Sequence, residues 1–355
     1  MSKSVSFYCA QTAEPFNPES IAKEGRGGSE EALWHISRRL AKLGWQVEVF
    51  ADTGEDSARE FAGVLWRPFW EFDIKEPREV LVIWRRTFPF QSRAIKAKKT
   101  YFWVHDALLP AESPLHLTEE MLGRISKLLV LSKWHQSLYP NIPDNKFSIK
   151  NNGIDLEEIK KVKIKRNPCR LIYTSAYYRG LETLVNLFAE IKQQVPRAEL
   201  HVFYGWFFWD AIYGKDPLMQ QRKEEIKKTM VRLGIQEHGR VSQEQILQEY
   251  AKSSILAYPT EFGEVSFISG MKAQALGCIP VTTTAGCLEE TIKFGLKVKS
   301  KKIYSDTDAQ KKWVQGAVNL LKNPPSEKQR EKMMSWARKR FDWDRIAEEW
   351  HEELL

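Results

Sequence analysis

A chain of 355 residues, 43% hydrophobic and 28% charged, is expected to fold as two soluble globular domains, each with room for its own core. No apolar run approaches the roughly 20 residues of a membrane-spanning helix, and the N-terminus enters a strand without the pattern of a signal peptide, which argues against a helical membrane protein. The 54 Lys and Arg exceed the 46 Asp and Glu to leave a charge of +8, clustered at 93–99, 160–166, 297–302 and 322–340; the surplus suits anionic lipid headgroups or nucleic acid, and also a plain solvated surface.

In chain order, residues 5–9 form a short apolar strand and 11–26 a long polar loop. Gly27 and Gly28 open a helix whose apolar positions (Ala32, Leu33, Ile36, Leu40) recur at helical spacing until Gly44. With the strand at 46–50 this is a Rossmann-like opening, in which the glycines let backbone approach a phosphate. The loop is too long for the compact dinucleotide fingerprint. Arg26 and Glu30 beside it are candidates for acceptor contacts. Strands follow at 80–84 and 100–104. His105 and Asp106 stand at the carboxyl end of the second, where open α/β sheets bind ligands. A strand at 128–132 leads into a helix opened by Ser132, in which His135 reads as structural. After a strand at 147–149, the polar, basic segment 156–168 reads as a linker, and the domain boundary is placed near residue 160.

The second half starts with a strand at 170–175, a helix at 181–194 and a strand at 199–204. The aromatic cluster after it offers Trp206 to stack on a base or a sugar face. A charged, exposed helix covers 216–228, and 239–242 reads as a short strand and turn. A buried strand at 254–258 ends at Pro259, before a loop bearing Glu261 and Glu264. The helix at 266–276 stops at Gly277, and a strand at 279–283 begins at once. Such a βαβ unit puts the helix N-terminus at the carboxyl ends of the strands, where unpaired N–H groups and the helix dipole favour an anion. Amides near Ser266, Phe267 and Ile268 are expected to hold a diphosphate, with Glu264 reaching a sugar hydroxyl. The tail, 335–355, repeats Ile346, Trp350 and Leu354 at helical spacing. Cys9, Cys169, Cys278 and Cys287 are scattered without a CxxC pair and read as reduced thiols of a cytoplasmic protein.

The stretch from Pro259 to Val281 resembles the donor-site signature of the retaining glycosyltransferases with the GT-B fold, the large glycosyl transferases group 1 family. Glu264 matches the first Glu of that signature. Lys272 stands where a second Glu is expected, and Ala273, Gln274, Ala275, Gly277, Pro280 and Val281 follow, with one extra residue between Gly and Pro. The family's second Glu contacts the nucleotide ribose. Lysine cannot accept a hydrogen bond from ribose hydroxyls, so the resemblance points Lys272 at the diphosphate instead. Gly27, Gly28, Ser29 and Glu30 resemble the family turn that faces the donor diphosphate. Arg179-Gly180 resembles a basic-Gly pair that sets a cation on the donor phosphates, although a second upstream Arg is missing and Thr174 or Ser175 stands there. By the same likeness Arg240 and Val241 line the nucleobase pocket, and His105 with Asp106 faces the transferred sugar. Asn152, Gly153, Ile154 and Asp155 mark the passage between domains, and the tail resembles the helix that crosses back to the N-terminal half.

The resemblance implies an α/β chain of GT-B architecture: a Rossmann-like acceptor domain over 1–160, a Rossmann-like donor domain over 161–334 facing it across a cleft, and a returning helix over 335–355. The implied activity is hexosyl transfer from a nucleotide-diphosphate-sugar, such as a UDP- or GDP-sugar, to an acceptor hydroxyl. Retention of configuration is carried over from the family. Lysines, arginines and helix N-termini can neutralise the leaving diphosphate, so no metal is expected, and no cofactor beyond the nucleotide-sugar substrate. Acceptors in keeping with the basic surface are a glycan, a lipid-linked sugar or a hydroxylated base in DNA, in the cytoplasm or at the inner membrane face. The alternatives are a non-catalytic sugar- or nucleic-acid-binding module, for which Lys272 is the argument, or another GT-B enzyme such as a nucleotide-sugar epimerase.

Overall fold

Parallel strands buried on both faces read as unbroken apolar runs, and runs of this kind build both halves of the protein. The computed structural model describes residues 3–107 and 117–355. It has two compact units, one made of Met1–Ala22, Arg26–Gly153 and Phe341–Leu355, the other of Lys23–Gly25 and Ile154–Arg340.

The first unit contains β1 (Ser4–Ala10), α1 (Pro18–Glu24, its end assigned to the second unit), α2 (Gly28–Lys42), β2 (Gln46–Ala51), β3 (Arg59–Phe61), β4 (Val64–Pro68), β5 (Arg78–Trp84), β6 (Ala97–Trp103), α3 (Glu119–Arg124), β7 (Lys127–Val130), α4 (Lys133–Ser137) and β8 (Phe147–Ile149). The sheet order is β3-β4-β2-β1-β5-β6-β7-β8, parallel except for the β3–β4 hairpin. The expected loop over 11–26 holds α1, because Asn17 and Ser20 exchange side-chain and backbone hydrogen bonds across its first turn.

The second unit contains α5 (Leu156–Lys161), β9 (Asn167–Tyr173), α6 (Leu181–Gln194), β10 (Glu199–Val202), α7 (Phe207–Tyr213), α8 (Pro217–Leu233), β11 (Gln236–Glu237), α9 (Gln243–Lys252), β12 (Ser253–Tyr258), α10 (Ile268–Ala275), β13 (Ile279–Thr283), α11 (Leu288–Thr291), β14 (Leu296–Val298), α12 (Thr307–Lys322) and α13 (Glu327–Arg340). Its order, β11-β10-β9-β12-β13-β14, is wholly parallel. The expected linker over 156–168 starts with a helix. Asp155 accepts from Glu157 N and Glu158 N, and the acidic first turn and basic last turn match the helix dipole. The expected strand at 239–242 is a turn, and the strand lies just before it as β11.

The tail is two helices, because Asp342 caps a fresh start by accepting from Asp344 N; α14 (Trp343–Leu354) therefore begins after α13 has ended. On the first unit α14 covers one sheet face with α2. Trp350 lies 4.7 Å from Trp103 and 6.2 Å from Phe7, ring centre to ring centre. Arg39 pairs with Asp344 (2.6 Å), and Tyr101 Oη donates to Glu353 O (2.7 Å). The opposite face carries Tyr8, Phe50, Leu81, Ile83 and Phe102. Phe7 and Tyr8 part to opposite faces, as strand alternation requires. Among the described residues no helix is long and apolar enough to cross a membrane, and all four cysteines are free.

Trp350 has no exposed surface. Trp350→Ala should therefore cost the first unit about 3–5 kcal/mol in urea unfolding; a loss below about 1 kcal/mol would mean that α14 does not hold that core.

Candidate active site

In each sheet the helical crossovers leave in opposite directions from a central strand, which opens a crevice at the carboxyl ends. In the second unit that point lies between β9 and β12. The turn after β9 carries Arg179, and the loop after β12 carries Glu264. Arg179 Nη1 lies 3.2 Å from Glu264 Oε1, and Tyr258 Oη donates to the same oxygen at 2.5 Å. The Ser175 and Tyr258 hydroxyls are 3.3 Å apart. The Arg179 guanidinium stacks on Phe262 at 3.9 Å and reaches the Tyr178 hydroxyl with Nε and Nη2. Burial opposes its charge, but Glu264, Tyr258 and Tyr178 together outweigh burial and hold the pKa above the ordinary value for arginine. Tyr258 is pushed well up, by burial and then by Glu264, so it stays a hydroxyl donor.

Glu264 is itself buried. Its carbonyl accepts from Cys287 N (2.7 Å), where the chain turns through Gly286 at φ 59°. A Cβ on Gly286 would sit 2.4 Å from both Glu264 N and Glu264 O. The loop then enters α10 at Phe267, whose ring stacks on Tyr258 at 4.8 Å. No side chain caps α10, so its first N–H groups have no partner within the helix. Ser266 Oγ beside them is buried without a hydrogen-bond partner among the described residues, an arrangement that calls for an explanation in a folded protein. Ser266, Phe267, Ile268, Glu264 and Arg179 are thus brought together.

Lys272 lies further along α10, buried, and donates to Gln243 Oε1 (2.8 Å) at the start of α9. That contact sets it beside the 239–242 turn, where Arg240 stacks over Phe207 (4.8 Å) and Phe208 (5.3 Å) and Val241 is half-buried. Trp206 meets Tyr177 edge-on (4.7 Å) and Trp209 (5.6 Å), with Lys223 and Lys227 over its ring. Its neighbours therefore cover part of the indole, which is half-buried.

On the first unit Arg85 gathers the expected residues. It binds Asp106 through Nε (3.2 Å) and Nη2 (2.9 Å), and Nη1 reaches Ser29 Oγ (3.4 Å) and Glu30 (3.7 Å). The Gly27-Gly28 turn, an uncapped start to α2, is in this way tied to the end of β6. His105 packs against Trp103 and Trp84, and burial, then Arg85 and His135, push its pKa well down. Its Nε2 is buried without a partner among the described residues. His135 is positioned as a structural group. Leu131 N–H donates to its Nδ1 (3.2 Å), which leaves the proton on Nε2 to donate to Asp106 O (2.9 Å). Arg26 pairs with Glu14 (3.0 Å). Two Asp-x-Asp triplets are spent on helix starts, Asp306 capping α12 and Asp342 capping α14.

Arg85, Tyr258 and Phe262 were not singled out from sequence. The signal available was position: Tyr258 ends a strand, and Arg85 follows one. Arg85 (φ 61°), Ala10 (φ 57°) and Tyr204 (φ 104°) also share left-handed backbone at or just past carboxyl strand ends, which residue identity does not reveal.

Two measurements follow from this geometry. Gly286→Ala should cost at least about 1–2 kcal/mol for the left-handed backbone alone and displace the Glu264 loop; unchanged urea stability would refute the close approach. Burial pushes the pKa of His135 down to about 4, below its unfolded value. The unfolded chain therefore takes up the proton first as pH drops through about 6.5, and stability is lost from there downward. Unfolding free energy should fall between pH 6.5 and 5 by up to about 1.4 kcal/mol per pH unit for each such histidine. His135→Gln should flatten that slope, and an unaltered slope would mean the ring is not held neutral.

The model of the family described as glycosyl transferases group 1 matches residues 156–340, more than half of the chain. A search of curated proteins finds no match. Among solved structures, sucrose-phosphate synthase from Thermosynechococcus elongatus has a TM-score of 0.72 at 14% identity, over 99% of this chain and 98% of that one. Anabaena Alr3699/HepE in complex with UDP-glucose has a TM-score of 0.62 at 16% identity, over 99% of both chains. AviGT4, a glycosyltransferase involved in avilamycin A biosynthesis, has a TM-score of 0.65 at 14% identity, over 99% of this chain and 97% of that one. Similarity along nearly the whole length extends the likeness of fold to both units. The chain belongs to the glycosyl transferases group 1 family and is a glycosyltransferase of the GT-B fold.

Proposed function

We propose that the protein transfers a sugar from a nucleoside-diphosphate-sugar to an acceptor hydroxyl with retention of configuration, and without a metal ion in the donor site. The observation that carries this reading is the uncapped start of α10 beside Arg179, Glu264 and the unpartnered Ser266 Oγ. Amides of residues 266–268 and Arg179 would receive the diphosphate. Arg179 would exchange part of its contact with Glu264 for phosphate oxygens, which frees that carboxylate for sugar hydroxyls. Arg240 and Val241 would border the base, and Lys272, beside that turn, would bring a cation toward the ribose and the diphosphate. Trp206 would support this wall, with its neighbours already against the ring.

Within the first unit, Gly27 and Gly28 would offer the amides at the start of α2 to a phosphate, and His105 with Asp106 would bind sugar hydroxyls. His105 would act as a neutral donor or acceptor, in keeping with its lowered pKa. The departing phosphate oxygen would take the acceptor proton, so no separate base is required. The complex of HepE with UDP-glucose supports a nucleotide-sugar donor, and the basic surface favours an anionic acceptor such as a lipid-linked sugar. Binding in the cytoplasm at a membrane face follows from that preference.

Calorimetry with UDP, GDP and their sugars tests the reading. Arg179→Ala should weaken nucleoside diphosphate binding by about 1.5–3 kcal/mol, and Glu264→Ala should abolish turnover with the fold intact. An unmoved dissociation constant for Arg179→Ala would refute the phosphate contact, and near-normal turnover for Glu264→Ala would refute the sugar contact.

A further inference from the structure

The far end of α10 carries an arrangement that the donor reading leaves unused. The last carbonyls of a buried helix need partners, and backbone or a single cap usually provides them. Here backbone closes the end (Gly277 N to Gln274 O, Cys278 N to Ala273 O), and three guanidinium groups from two other segments meet the next three carbonyls in order, those of Ala275 at the end of α10, its C-cap Leu276 and Gly277. Arg338 Nε donates to Ala275 O (3.0 Å), Arg166 Nη2 to Leu276 O (2.7 Å) and Arg330 Nη1 to Gly277 O (2.6 Å). Arg166 immediately precedes β9, and the other two lie on α13. Arg166 Nη1 also donates to Ser253 O (2.5 Å) and Arg330 Nη2 to Ser254 Oγ (3.1 Å), at the start of β12. Two of the three cations, Arg166 and Arg330, therefore also lock the end of α10 to the strand that delivers Tyr258 and the Glu264 loop.

Every one of these bonds ends on a neutral oxygen. Burial lowers the pKa of all three arginines, and Arg166 lowers that of Arg330 further. Cations gathered this way cost free energy that neutral caps would avoid. The space is also kept for them: a Cβ on Gly277, at φ 78°, would lie 2.6 Å from Arg166 Nη2. What charge adds over a neutral cap is electrostatic. Cations at a helix C-terminus offset its negative pole. With eight residues, α10 is only about 12 Å long, so its negative pole otherwise subtracts from the potential at its start.

We propose that Arg166, Arg330 and Arg338 are positioning residues for the donor diphosphate. All three offset the negative pole of α10, and Arg166 and Arg330 also fix its axis against β12, so that the amides at its start face the diphosphate with the full positive end of the helix. This inference rests on the donor reading above. Arg338 is half-buried and serves one carbonyl, so it is the residue to vary. Arg338→Gln keeps a hydrogen-bond donor and removes the charge, and Arg338→Lys keeps the charge. Dissociation constants for UDP and GDP are compared with those for uridine and guanosine, with Arg179→Ala in parallel. The Gln variant should bind the diphosphates roughly two- to fivefold more weakly and the nucleosides unchanged, and the Lys variant should bind both as the parent does. Equal weakening of diphosphate and nucleoside, or no weakening, would overturn the proposal. Should the Gln variant fail to fold, Arg338→Met, which removes the charge at the same place, carries the same test, and unchanged diphosphate affinity in it would refute the proposal. If Arg179→Ala weakens diphosphate binding and Arg338→Gln does not, the positioning role fails and the donor reading stands. If the parent binds neither diphosphate, the donor reading itself fails.

Discussion

A strand that must run parallel to its neighbour forces the chain back across the sheet, and every carboxyl end then falls on one edge. That constraint arranges everything else in this protein. Arg179 and Glu264 are far apart in sequence, on the turns after two neighbouring strands, and they meet because β9 and β12 are paired and end together. In the first unit Asp106 and Ser29 meet on Arg85 for the same reason. Left-handed backbone at Ala10, Arg85 and Tyr204 falls on the same edges, where strands stop and the chain must turn sharply.

Burial decides the protonation states there. Tyr258 stays protonated and donates a hydrogen bond to Glu264, while Arg179 keeps its charge with that carboxylate facing it. His135 is neutral because burial penalises imidazolium more than Asp106 favours it, and His105 because burial, Arg85 and His135 all disfavour its charge. The donor-side cluster thus pairs one cation with one carboxylate in a low-dielectric setting, where each interaction is stronger than it would be in water. Aromatic rings from Phe262, Tyr178 and Phe267 complete that setting, and they also fix the angle at which the loop enters α10.

Much of this was legible in the residues. Buried parallel strands announce themselves as apolar runs, and Gly277 stops a helix for reasons local to the backbone. The GGSE turn, Arg179-Gly180 and Glu264 were singled out by their resemblance to the family's motifs, and the structure sets Arg179 and Glu264 side by side. The expected linker was misread because its polarity hid a helix that Asp155 starts by capping. The single tail helix was misread because periodicity continues across Phe341 and Asp342, whereas the cap at Asp342 breaks the hydrogen-bond ladder. Trp206 had the right chemistry for stacking, but only packing shows that Tyr177, Trp209 and two lysines already cover part of it.

Local propensity and pattern therefore determined the class of fold, the order of its elements and the residue types suited to a nucleotide-sugar, because each depends on neighbours a few positions away. The partners of those residues were settled only in three dimensions. Arg85 on Asp106, Lys272 on Gln243, and three arginines on the carbonyls of Ala275, Leu276 and Gly277 where α10 ends join groups separated by between 21 and 110 positions of chain. Such distances close only when sheets and helices have packed, and no spacing in the sequence encodes them.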